Sequence, residues 1–110
     1  MIEETILNYL KTNLTVPVKL EMPENPPVKI VIMEKTGSGQ TNFIRRATFA
    51  FKSYAGSMYD AAALNEQVKT ALDAMPETEN IFSAKLNSDY NYTDTRFKKY
   101  RYQAVYDFTY

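Results

Sequence analysis

The chain contains no histidine and no cysteine. Without them the Ser-His-Asp and Cys-His nucleophile systems are unavailable, as are the usual ligands of structural and catalytic zinc. No disulfide framework can form, which fits folding in a reducing compartment. Glycine is scarce too, at three residues. Two of these lie in Lys35-Thr-Gly37-Ser-Gly39-Gln40, between strand-like runs, whereas a phosphate-binding P-loop opens a helix. This segment therefore reads as a hairpin tip. An excess of one charge is likewise missing: thirteen basic side chains balance thirteen acidic ones, so no broad electrostatic pull toward nucleic acid or anionic membrane is expected. Long apolar runs are absent as well, and Glu3 and Glu4 stand where a secretory leader would carry a basic flank. The expectation is a chain with neither a membrane span nor a signal segment.

Carboxylate, Lys or Tyr acid–base chemistry and oxygen-ligand metals survive these exclusions. Asp89-Tyr-Asn91-Tyr-Thr93-Asp94 begins like a calcium loop, but its sixth position, which needs a sharply turning glycine, is Asp94. It reads instead as a polar hairpin loop whose Asn and Asp satisfy backbone donors. No catalytic, cofactor-binding or metal-binding residue is expected, and no enzymatic activity. Asn13-Leu14-Thr15 and Asn91-Tyr92-Thr93 match the glycosylation acceptor pattern by chance.

What the sequence does have is apolar and aromatic content. Hydrophobic residues make up 45% of the 110 residues, with nine Tyr and six Phe, which is enough for one folded domain over 1–110. Ile2, Ile6, Tyr9, Leu10 and Leu14 recur at helical spacing, predicting a helix over 2–13. Val16, Val18 and Leu20 alternate around Pro17, which confines that run to an edge strand or extended segment. Val28 to Glu34 is β-branched and nearly continuous in apolar character, as in a strand covered on both faces. After the reversal at 35–40, residues 42–54 predict a long strand with Phe43, Ala47, Phe49 and Phe51 on one side, pairing antiparallel with the first.

Ser57 followed by Asp60 approximates a capping box, and Met58, Ala61, Leu64, Val68, Ala71, Leu72 and Met75 continue at helical spacing until Pro76 closes the helix. Ile81 to Leu86 reads as a short strand, and 87–96 shows no period. In the last stretch Tyr100, Tyr102, Ala104, Tyr106, Phe108 and Tyr110 alternate with mostly polar residues, giving a strand with one buried face. The fold class that follows is α+β: a mainly antiparallel sheet of about four to five strands with two helices packed on one face.

Arg45-Arg46 and Lys98-Lys99-Tyr100-Arg101 are the basic clusters. Basic groups mixed with aromatics can line a single-stranded nucleic acid groove. Alternation, however, places the aromatics of the last strand opposite Arg101, so they read as core. The tyrosine count exceeds what one small core satisfies with hydrogen bonds, which points several of them toward interfaces.

The order of pieces resembles the tail terminator, or tail completion, proteins of long-tailed bacteriophages. The similarity runs from the opening helix Met1-Ile-Glu-Glu-Thr-Ile-Leu-Asn-Tyr-Leu10 through a Pro-rich segment and a strand pair. It continues in Phe49-Ala-Phe-Lys-Ser-Tyr-Ala-Gly-Ser57, which leads into the Ala-rich helix Asp60 to Leu72, and in the closing Tyr106-Asp-Phe-Thr-Tyr110. The resemblance implies a structural virion protein that forms a hexameric ring, caps the tail tube and joins tail to head. Its partners would be copies of itself, the tail tube protein and a head-side connector, with no membrane and no specific nucleic acid. Its location would be the host bacterial cytoplasm during assembly and then the virion neck. The loop at 35–41 is shorter than the family's, and 87–96 aligns with no family motif. The interface candidates under this reading are Thr36, Gly37, Ser38, Gly39, Gln40, Arg45, Arg46, Arg96, Lys98, Lys99 and Arg101. Two readings from other classes compete with it: a small nucleic-acid-binding domain using Arg45, Arg46, Lys98, Lys99 and Arg101, and an enzyme whose carboxylates converge in a pocket; another neck or tail adaptor is the alternative within its own class.

Overall fold

A computed structural model describes residues 1–110. Its elements are α1 (Ile2–Asn13), β1 (Val18–Lys19), β2 (Ile30–Thr41), β3 (Ile44–Ala55), α2 (Met58–Thr78), β4 (Ser83–Asn91) and β5 (Tyr100–Thr109). The five strands form one sheet in the order β1-β2-β3-β5-β4. Only the short β1–β2 pair is parallel; the other three pairings are antiparallel. The α+β class, the succession of elements and the β2–β3 pairing are those the periodicity predicts.

The helices share one face of the sheet because the period-two and helical patterns meet there. Val31 and Met33 of β2, Ala47, Phe49 and Phe51 of β3, and Ala104, Tyr106 and Phe108 of β5 join Ile6, Leu10, Leu64, Val68, Leu72 and Met75 in a single buried cluster. Phe49 meets Phe108, and Phe51 meets Tyr106, edge-on at ring separations of 5.8 and 6.2 Å. Each such pair adds about 0.5–1.5 kcal/mol beyond the area it buries. Ile30, Val31, Ile32 and Met33 are all buried, since the helices cover one face of β2 while residues 22–28 lie beside Ile30 and Tyr54 on the other. Val28 itself is exposed, so the strand starts two residues later than its composition suggests.

Ser57 caps α2, its Oγ accepting from the Asp60 N–H at 3.1 Å; replacing such a cap by Ala costs about 1 kcal/mol. Pro76 does not close the helix, which runs on to Thr78. In the last turn a proline forfeits one hydrogen bond, and its fixed φ is already helical.

The glycine segment also departs from expectation. Gly37 and Gly39 lie within β2, and the reversal falls later, at Asn42 and Phe43, both in the left-handed region with φ of 51° and 66°. Two left-handed residues make the primed turn that matches strand twist. A register shift between Lys35 and Gly37 is where the glycine-rich stretch is absorbed. β4 is longer than predicted, running through a second irregularity between Leu86 and Ser88 to Asn91.

β4 is fastened to α2 by polar groups. The Asp89 carboxylate accepts from Asn65 Nδ2 at 2.6 Å and from the Lys69 ammonium, which also pairs with Glu66. Asp89 thus serves the helix interface, and Asn91 Nδ2 turns to the Met58 sulfur, so the calcium-like spacing resolves into two structural contacts. Beside them the Tyr106 hydroxyl donates to Asp73 Oδ1 at 2.7 Å.

Candidate assembly surfaces

β2 and β3 are each twelve residues long, or about 40 Å at the usual rise per residue. They outrun the rest of the sheet. β5 accompanies β3 only as far as Arg46, with one further reciprocal pair of backbone bonds between Arg45 and Tyr110. β1 touches β2 only at Val31 and Ile32. From Gly39 to Ile44 the hairpin is therefore a two-stranded arm, exposed on both faces. Thr36, Gly37, Ser38, Gly39 and Gln40 lie along the β2 strand of this hairpin, with Gly39 opposite Arg46 and Gln40 opposite Arg45. The hairpin from Thr36 to Arg46 gathers seven of the eleven interface candidates, and Gly39 and Gln40 are the two on the arm itself.

Phe43 sits at the tip and is 94% exposed. The alternation that carries Ala47, Phe49 and Phe51 into the core predicts it on the same side, but at position 43 no third strand or helix remains to cover it. Its signal in the sequence is the preceding Asn, the residue type that best tolerates a left-handed turn after glycine.

The other candidates lie at the far end of β5. Arg96, Lys98 and Lys99 belong to the loop 92–99 between β4 and β5. Asp94 and Lys99 close this loop by reciprocal backbone bonds of 3.0 Å. Asp94 Oδ1 accepts from the N–H groups of Arg96 and Phe97 at 3.1 and 3.3 Å, and Lys98 has a φ of 53°. The result is a tight loop presenting Phe97, which is 65% exposed, beside Arg96. Phe97 lies between the aperiodic stretch 87–96 and the alternation that begins at Tyr100, so no pattern singles it out.

Arg101 is separate from both groups. It lies on the helix-free face, its guanidinium 4.4 Å from the Tyr92 ring centroid and 5.8 Å from that of Tyr54. Its Nε donates to the Tyr92 carbonyl at 2.7 Å. The aromatics of β5 do face the helices, as alternation requires, yet Tyr54 and Tyr92 share the Arg101 side. Tyr90 joins them through a hydrogen bond with the buried Gln103 side chain. Among the nine tyrosines Tyr9 and Tyr106 are buried, and Tyr59, Tyr90 and Tyr92 are well exposed.

The end of the molecule from which the arm departs also carries the N-terminus of α1 and the C-terminus of α2. A cleft of about 410 Å³ opens there between Met1, Ile2, Glu79, Ile81 and Tyr110, with Arg45 on its rim. Phe82, 79% exposed, follows directly after Ile81. No model of a known protein family matches this chain, and no curated protein sequence matches it.

Proposed function

We propose that this chain is a structural assembly subunit of the phage tail terminator kind, which closes the growing end of a tail tube and offers its other side to a head-side connector. The projecting β2–β3 arm carries the reading. It combines two free strand edges and an aromatic tip, with Arg45 and Arg46 at its base and neither in an ion pair, the features by which one subunit grips another without chemistry. The order of elements supports the same reading through its similarity to that family.

The test is to add the purified protein to polymerising tail tube subunits and to image the tubes. Shorter tubes with one decorated end are expected, and Phe43→Ser should restore elongation. Tubes that grow to the same length with and without the protein would falsify the reading.

A second reading draws on one observation, the Tyr54–Arg101–Tyr92 stack with Tyr90 beside it on the helix-free face. Stacked aromatics with a cation form a platform for single-stranded nucleic acid. That reading requires binding that weakens steeply with salt and is lost in Tyr92→Ala.

A further inference from the structure

We infer that the cleft on the helix-free side of the sheet, between the Pro-rich segment and the adjoining ends of β3 and β5, binds an organic oxyanion: a carboxylate or phosphate carried on an apolar body. The inference rests on that cleft alone and goes beyond the assembly reading.

The sequence builds the cleft by keeping one segment off the sheet. Pro26 and Pro27 have a fixed φ and no N–H to give to a ladder, so the chain from Met22 to Val28 runs past the start of β2 without joining it. It comes close at Gly56, where a Cβ would stand 3.2 Å from Val28 Cγ1. Between the segment and the sheet opens a space of about 410 Å³, within the roughly 300–1,000 Å³ usual for ligand pockets. Ile30 and Ala55 are its buried lining, whereas Met22 and Val28 line it and keep apolar surface in water. The apolar body of a ligand would cover that surface.

The charge in the cleft is of one sign. Lys99 and Arg101 line it and no carboxylate does; neither cation is in an ion pair. Both positions are fixed by their surroundings. Lys99 is tied through its backbone to Asp94. Arg101 donates from Nε to the Tyr92 carbonyl and from Nη1 to the Tyr54 hydroxyl at 3.3 Å. Its guanidinium lies over the Tyr92 ring, which Tyr90 meets edge-on at 5.8 Å. Nη2 donates to no protein atom. A guanidinium oriented in this way, with donors left over, is preorganised for an oxyanion, which it binds through paired charge-assisted hydrogen bonds. Single-stranded nucleic acid fits this cleft less well, because its bases need open ring faces. Here the guanidinium covers Tyr92, and the cleft lining is mostly aliphatic.

Proton–nitrogen correlation NMR on the full chain, titrated with naphthoate, naphthyl phosphate and the neutral naphthamide, tests this. The anions should shift the amides of Ile30, Ala55 and Arg101 and leave those of the β2–β3 arm unmoved, and the tighter of the two identifies the oxyanion. Naphthamide should bind at least tenfold more weakly, about 1.4 kcal/mol, and added salt should narrow that difference. Arg101→Gln and Lys99→Gln should each bring the anions toward the amide. Because Arg101 also orders its neighbours, Val28→Asp gives a second variant at an exposed position: its circular dichroism melt should stay cooperative, while the new carboxylate at the cleft abolishes anion binding. No shift with either anion at millimolar concentration, naphthamide binding as tightly as naphthoate, shifts that fall outside the cleft, or a Val28→Asp protein that binds the anions like the wild type would each overturn the inference. So would an oligothymidylate that displaces both anions with a steep salt slope and shifts Tyr90 and Tyr92, a result that would promote the nucleic-acid reading.

Discussion

Phe43 occupies a backbone region that costs an L-residue about 1–2 kcal/mol, on a turn where glycine would be unstrained. Phe43→Gly is therefore expected to raise stability by about 0.5–1 kcal/mol in urea denaturation, whereas Phe43→Ala, which keeps the strain, should not. A loss of stability in the glycine variant would mean that the ring is held by the fold after all. A second residue-scale prediction concerns pH. The hydrogen bond that Lys69 donates to Asp89, reinforced by the one to Glu66, holds its ammonium above the ordinary value of 10.5. Burial, then the Asp73 carboxylate, raises the Tyr106 phenol above 10.0, and burial also raises Tyr9. All three bind their proton more tightly folded than unfolded. Their contribution is thus complete below about pH 10 and lost as pH rises through the raised values. Urea midpoints should be flat in this contribution from about pH 7 to pH 9 and fall above pH 10, and Tyr106→Phe should make that fall shallower.

At the scale of elements, the arm is expected to be separable from the fold. Excising residues 39–46 and joining the register partners Ser38 and Ala47 through Asn-Gly removes side chains that make no part of the buried cluster. The melting temperature should move by no more than a few degrees, while any effect on tube growth disappears. A collapse of cooperative unfolding would show that the arm belongs to the core. The same division explains what could be read in advance. α1, α2 and β5 were legible because their apolar residues repeat at 3.6 or 2 over long spans, and each face packs where the repeat points. The arm was misread because glycine is an ambiguous signal: Gly37 and Gly39 look like a turn but accommodate a strand irregularity, while Asn42 and Phe43 do the turning. β4 was cut short because Asp89 and Asn91 have loop-like composition, and only the lateral contacts to Lys69, Asn65 and Met58 give them a place in a strand. Arg45, Arg46, Lys98 and Lys99 were legible as exposed cations by type. Phe43 and Phe97 were not, since an aromatic residue in a sequence reads as core until the covering layer is seen to stop short of it.

For the whole molecule, the position of β5 has a consequence in time. The last strand to be made is the one between β3 and β4, and Phe108 and Tyr106 complete the aromatic cluster. During synthesis the first ninety or so residues therefore hold an open seam, with β3 lacking one neighbour and β4 lacking its partner. The sheet closes only when β5 slides into that seam. Until then the edge of β3 and the rings of Phe49 and Phe51 stay open to water, and an open β-edge of that kind is a template for pairing with another chain.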